Sequence, residues 1–360
     1  MFDAAFPLWS TRGRTKTGLF AERIDHDGRA DDSYFRTFVQ ARHVYAFAEG
    51  GTLGWEGPWA ESISETIALL LANARRADGL FVHKLDAQGE HLDPRADLYD
   101  QAFVLFALGK AGQALNQPAL YDEAESFLLC LQGLWRLLDN GFFEGEIVDN
   151  SIRRQNPHMH LFEAFLCLHE ASGRPVFLHA AIRIAKLCTN RFIDPETGAL
   201  LEYFDQDLRP ADGDLGKIVE PGHCFEWAWL FERLSRFGWS PATGVADRLV
   251  LFARRHGICS DRGVAINEIS VDGGIVSSTA RLWPQTERLK AAVSRYCRLD
   301  SETEAGEIVL AAKGLEHYLD VPIPGLWHDK LRADRTWVEE QAPGSSLYHI
   351  VCAYGELLRA

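Results

Sequence analysis

The sequence predicts an all-α fold, six helical hairpins closed into an (α/α)6 barrel, and three observations carry that prediction. His160 and His223 stand 63 residues apart, and His349 follows after a further 126. The same step reaches Asp97 backwards and Thr286 forwards, and one more step back reaches Tyr34; each position opens an apolar helical run. A second set of helical runs lies between the first, and each of these is followed by a short turn with glycine and an apolar pair. A repeat of about 60 residues made of two helices cannot bury its own apolar faces. Packing the repeats into a ring buries them all.

The elements follow in order. The inner runs are SYFRTFVQARHVYAFA, DLYDQAFVLFAL, HLFEAFLCLHEA, HCFEWAWLFERL, TERLKAAVSRYC and HIVCAYGELL. The outer runs are SISETIALLLANARR, PALYDEAESFLLCLQGLWRLL, PVFLHAAIRIAKLCTNRF, GVADRLVLFARRHG and ETEAGEIVLAAKGLEHYL. In these outer runs apolar residues recur every three or four positions, the helical period. The N-terminal segment supplies the closing helix of a sixth pair. The turns are Gly79-Leu80-Phe81, Gly141-Phe142-Phe143, Gly198-Ala199-Leu200, Gly263-Val264-Ala265 and Gly325-Leu326-Trp327. The acidic, partly alternating segments after them read as short hairpin loops at one end of the ring, walling a pocket. No linker or low-complexity stretch divides the chain, so residues 1–360 are expected to form a single catalytic domain.

Composition narrows the function. A formal net charge of −14 argues against binding a nucleic-acid backbone. The N-terminus has no apolar signal core, and no run of about 18 apolar residues suggests a membrane span. The seven cysteines are scattered through helical runs with no CxxC pair. They read as reduced core residues of a cytoplasmic protein. Cys224 adjoins His223, but neighbouring residues on a helix do not face each other, which disfavours a Cys–His nucleophile. No dinucleotide fingerprint, phosphate loop or nucleophile elbow is present.

Six segments carry candidate chemistry. In RRQNPHMHLFEA, Pro157 suits a first helical turn and Asn156 its N-cap. Asn156, His160 and Glu163 share a face, whereas His158 lies off it. A His-x-His pair on a helix does not readily grip one ion, and no HxxxH occurs, so no metal is expected. In EPGHCFEWAWLFERL, His223 and Glu226 are three apart at a helix start. RLWPQTERLKA offers Trp283, Gln285 and Glu287, with Trp283 either stacking on a sugar face or lying in the core. APGSSLYHIVCAY sets His349 after a serine turn. Arg42 stands inside an apolar helix, where a buried guanidinium needs an anionic partner. Tyr99 and Asp100 are possible hydroxyl-binding groups. Arg153 and Arg154 are possible phosphate contacts, or simply solvated.

These segments, from QARHVYAFA through DLYDQAFVLFAL, RQNPHMHLFEA, PGHCFEWAWLF and RLWPQTERLKA to SSLYHIV, resemble the N-acylglucosamine 2-epimerase family. The wording is closest to its mannose isomerase branch. The resemblance implies an (α/α)6 barrel acting without a cofactor on a reducing sugar. By motif it puts the proton work on His223 and His349, with Arg42 near the enediolate and Tyr99, Asn156 and His160 on the sugar. It makes Glu226 the acidic partner of His223. Gly344, Ser345 and Ser346 depart from relatives that carry a substrate-binding amide near this point.

The leading expectation is interconversion of free D-mannose and D-fructose through an enediolate. A neutral imidazole is a capable base near neutral pH. His349 is expected to act at C2 and C1, and His223 to assist ring opening or serve as a second base. Arg42 and His160 would neutralise the enediolate oxygens. Sugar 2-epimerisation is the nearest alternative. A glycosidase or lyase using Glu163 and Glu226 would need a carboxylate pair across the scissile bond, and a non-catalytic sugar-binding scaffold is the remaining reading. The expected partner is one small monosaccharide, and the expected state a monomer or homodimer.

Overall fold

The computed structural model describes residues 2–148 and 151–360. Their helices are α1 (Phe2–Thr11), α2 (Thr37–Thr52), α3 (Trp59–Leu69), α4 (Leu98–Ala114), α5 (Ala119–Trp135) and α6 (Asn156–Ser172). There follow α7 (Pro175–Leu187), α8 (Pro221–Ser235), α9 (Ala242–Gly257), α10 (Leu282–Leu299), α11 (Glu302–Leu319) and α12 (Ser346–Arg359). The even-numbered helices form the inner ring. Each packs on the next, and α12 packs back on α2. Helices α3, α5, α7, α9 and α11 lie outside, each against the inner helix before it.

Burial separates the two layers as expected. Helix α4 is buried along nearly its whole length from Leu98 to Gly112. Helix α5 buries one stripe, Leu120, Ala124, Phe127, Leu128, Leu131 and Trp135, at three- and four-residue spacing. The ring closes at its ends: α1 packs beside α2, and Trp9 donates to the Gly325 carbonyl at 3.3 Å and stacks on Trp327. This is the sixth pair expected of the N-terminal segment. Several starts differ from the sequence reading. Tyr34 precedes α2, while His160, His223, Thr286 and His349 fall within the first two turns of their helices. Of the cysteines, Cys167, Cys188, Cys224 and Cys352 are buried, whereas Cys297 is exposed.

Short strands flank the N-terminal ends of the inner helices and make small antiparallel sheets at that one end. Six turns there share one register. Each has a left-handed residue at the same point: Gly18, Gly79, Gly198, Gly263, Gly325 and, in the third repeat, Asn140 with φ 71°. Glycine takes this conformation without steric cost and asparagine tolerates it. Two residues on, the backbone is clamped by an inner-helix side chain. Gln40 brackets Phe20, Gln101 brackets Phe81 and Gln285 brackets Ala265, each accepting from the N–H and donating to the carbonyl. In the third repeat His158 Nε2 accepts from the Phe142 N–H at 3.0 Å, while Nδ1 lies 3.1 Å from the Arg154 carbonyl. Both His158 and Gln285 therefore hold turns in place.

Four residues past the left-handed position stand Glu22, His83, Glu144, Glu202, Asn267 and Asp329. Glu22 accepts from the backbone and side chain of Arg36, and Glu144 from those of Arg154. Each arginine stands just before an inner helix, so the carboxylate ties turn to helix start. Glu202 is the same kind of residue, with a different partner.

Candidate active site

Tyr99, Asn156, His223, Trp283, Ser345, Ser346 and His349 come from the first turn of an inner helix or the residue before it, so they meet at one mouth of the ring. With Arg42, His160, Glu220, Glu226 and Arg281 they line a cavity of about 150 Å³. That is room for about five waters, the scale of one sugar ring. Larger hollows lie elsewhere, one of about 730 Å³ beside α9 and one of about 550 Å³ at the opposite mouth, but neither holds an interval histidine. The inner helices direct their positive dipole ends at this cavity, which favours negative charge developing there.

Two of the interval histidines, His223 and His349, differ in protonation. His223 Nδ1 lies 3.0 Å from both oxygens of Glu202 and 3.8 Å from Glu220. Burial opposes its protonation, but Glu202 and then Glu220 outweigh burial and hold the ring up at about 10. It is an imidazolium at neutral pH. The Asn156 amide stands 3.2 Å from Nε2. It is the amide nitrogen that faces the ring, and the amide oxygen has no partner; a protonated ring donates from both nitrogens, so exchanging the two amide atoms gives Nε2–H its acceptor and the oxygen its partner. His349 Nδ1 lies 2.8 Å from Glu287. Burial, then the Arg42 and Lys290 charges, push its pKa well below the ordinary value. It is neutral, with Nδ1–H given to Glu287 and Nε2 left as a base. Trp283 sits between the two rings, its centroid 4.8 Å from His223 and 5.9 Å from His349. Only 8% of it is exposed, so it is a wall of the cavity and part of the core at once.

Arg42 crosses the cavity from α2. Among the described residues the other buried arginines, Arg153, Arg233, Arg288 and Arg295, each have a carboxylate partner. Arg42 instead donates to the Tyr99 hydroxyl at 2.6 Å and the Ser345 carbonyl at 3.3 Å, inside a cage of aromatic rings. Its charge is uncompensated and its Nε has no partner. His160 Nδ1 lies 3.2 Å from Glu163, and burial lowers its pKa to about 4.

The structure corrects several sequence-based roles. Asn156 is the first residue of α6 and makes no N-cap bond; Gln155 precedes it. Glu226 is not the bonded partner of His223, which is Glu202. Glu226 Oε1 has no partner, and burial next to Glu287 raises its pKa well above the carboxylate range, so it is a neutral acid. Asp100 is turned away, bonded to His83 and the Phe38 N–H. Arg153 and Arg154 are held by Asp139 and Glu144. Glu163 gives its oxygens to His160 and to the Tyr348 hydroxyl, so it does not face Glu226 across a bond to be cleaved. Glu202, Glu220, Arg281 and Lys290 were missed. The signal for Glu202 was present, since it repeats the spacing of Glu22 and Glu144 from their turns.

Among the described residues three sets of donors approach within 4.8 Å: His160–Glu163–Glu226, Glu202–Glu220–His223 and Glu226–Glu287–His349. In each a histidine nitrogen lies within hydrogen-bond distance of a carboxylate of the same set. No helix of the described residues is long and apolar enough to cross a membrane.

Comparison with known proteins shows the family. A family model described as N-acylglucosamine 2-epimerase matches residues 18–353. The chain is 39% identical over 365 residues to a mannose-6-phosphate isomerase of Rhizobium meliloti, covering 99% of this chain and 94% of the relative. It is 30% identical to a D-mannose isomerase of Thermobifida fusca, over 68% and 69% of the two chains. A crystal structure of a D-mannose isomerase superposes with a TM-score of 0.91 at 19% identity, covering 100% of this chain and 96% of that one.

Proposed function

From a chain that belongs to the N-acylglucosamine 2-epimerase family, we propose an aldose–ketose isomerase that interconverts D-mannose and D-fructose through an enediolate. The observation that carries the proposal is the different poise of His223 and His349 around one small cavity, with the unpaired Arg42 charge in the same cavity. Pairs of titratable groups whose environments drive them apart mark an acid and a base.

In the open-chain aldose, His349 Nε2 takes the C2 proton. The electron pair forms the C1–C2 double bond, and O1 receives a proton from the His223 imidazolium. Arg42, with Tyr99, stabilises the charge on the enediolate oxygens as it forms. His349 then returns its proton to C1, O2 gives its proton back to His223, and the ketose carbonyl forms at C2. Both histidines end as they began. Trp283 supplies the apolar face against which the sugar carbons pack.

A free hexose fits better than its phosphate. A phosphate would need unpaired cations at the mouth, yet Arg36 and Arg154 are held by glutamates and Arg281 lies beside Asp329. The test is incubation with D-mannose, and separately with mannose 6-phosphate, in D₂O, followed by NMR. Fructose deuterated at C1 is the expected product. Glucose without fructose would make the chain a 2-epimerase, and exchange on the phosphate alone would overturn the choice of substrate.

A further inference from the structure

Lys290, on α10, is completely buried, directly behind the cavity. A buried ammonium is costly unless closely paired. Its Nζ makes an ion pair with Glu287 at 2.6 Å and stands 3.7 Å from the centre of the Trp229 ring. The other oxygen of Glu287 is 2.8 Å from His349 Nδ1. The chain Lys290–Glu287–His349 thus runs from the core to the base, and none of its polar contacts reaches solvent. We propose that Lys290 is a positioning residue of the proton-transfer machinery: it keeps Glu287 an acceptor, so that His349 carries its proton on Nδ1 and presents the Nε2 lone pair to the substrate.

Glu287 lies among acids. Glu163 on α6 and Glu226 on α8 approach the same ammonium, and burial and then the Glu163 charge push Glu287 towards protonation while Lys290 opposes them. Without Lys290, Glu287 would take a proton and donate it to His349 Nδ1. The ring would then carry its own hydrogen on Nε2, facing the cavity, and could not act as a base. Arg42 from α2 and His160 from α6 also face His349, and Tyr348 flanks it on α12. Neither Arg42 nor His160 touches Glu287 in the way Lys290 does.

The role rests on the isomerase reading, but its test does not need turnover. Protein labelled with 15N-histidine is titrated from about pH 5 to pH 9, and the His349 ring is identified by its loss in His349→Ala. The native ring is expected to stay neutral with hydrogen on Nδ1. In Lys290→Met the hydrogen should move to Nε2, and the Glu287–His349 pair should hold a proton to a pH higher by about one unit or more. With substrate, kcat near neutral pH should fall about 100-fold while KM stays nearly unchanged. An unaltered tautomer and midpoint in folded Lys290→Met would overturn the proposal. If Lys290→Met does not fold, Lys290→Gln removes the same charge with a polar side chain. Hydrogen on Nε2 is again expected, and an unchanged tautomer would again overturn the proposal. Failure of the native protein to exchange D-mannose would sink the isomerase reading and leave the nitrogen spectra to judge Lys290.

Discussion

Replacing Glu202 by glutamine should move the alkaline limb of the reaction and leave its neutral plateau nearly intact. His223 sits at about 10, against an ordinary value of about 6.5. That gap of about 3.5 units is worth about 5 kcal/mol in favour of the cation. Burial works the other way, so the carboxylates supply more than the whole of it, and Glu202 ranks first among them. A glutamine whose oxygen takes the Oε2 position still accepts from Gln155 and from His223 Nδ1, so shape is preserved while charge is lost. With Glu220 remaining at 3.8 Å, the limb should fall by about two units, to about pH 8. Activity requires the protonated ring and is present below its folded pKa. Hence kcat/KM at about pH 9 should drop at least tenfold, with little change at pH 7. Stability follows the same sign. A raised histidine contributes fully below about 6.5 and loses its contribution as pH climbs to about 10, so the native advantage over Glu202→Gln should be largest in acid. The assay is the pH profile of mannose isomerisation, with Glu220→Gln as a milder comparison. An alkaline limb that stays in place, or activity that rises as His223 deprotonates, would refute the acid role and the reasoning behind it.

His349→Ala should reduce C2 exchange in D₂O by about 10³-fold and still bind mannose by calorimetry; full activity would remove His349 from the mechanism. Arg42→Met should lower kcat/KM by about 10²-fold, and Arg42→Lys should restore little, because a point charge lacks the planar fork that meets Tyr99 and Ser345. His43, wholly buried against Phe20, has its pKa lowered to about 3 by burial alone. The unfolded ring binds a proton below about 6.5 and the folded ring does not, so this site costs about 2 kcal/mol of stability at pH 5. Urea unfolding of native protein and His43→Leu should diverge in pH dependence by that amount, and parallel curves would contradict it.

The ring itself was legible because the pattern that encodes it is apolar and periodic. Inner and outer runs, glycine turns and interval histidines all report the same unit. What escaped was polar and cooperative. Helix α10 buries Gln285, Thr286, Glu287, Arg288, Lys290, Ser294 and Arg295. Register places this segment in the inner ring, but the partners that let its charges be buried there, Glu287, Glu304, Glu307 and Asp247, are not read from its own pattern. Asn156 sits at a helix start like a cap, yet its amide goes across the cavity to His223. Glu226 has the right spacing to serve His223, and Glu202 takes that place because its turn delivers it closer. Spacing along one helix gives neighbours on that helix, whereas the carboxylates bonded to His223 and His349 come from a turn and from the preceding inner helix.

The six mouth turns bear on how proteins built this way diversify. Glu22 and Glu144 bond chiefly to the start of one helix each, so an exchange at such a position disturbs one joint and leaves the others standing. At Glu202 the same joint reaches an imidazole, and a tie between turn and helix becomes a control on proton affinity. A single codon change can therefore bring a new acid, amide or imidazole to the rim from any of six directions while the frame persists. Catalytic novelty in such a ring needs no insertion and no refolding, only a new occupant in an old seat.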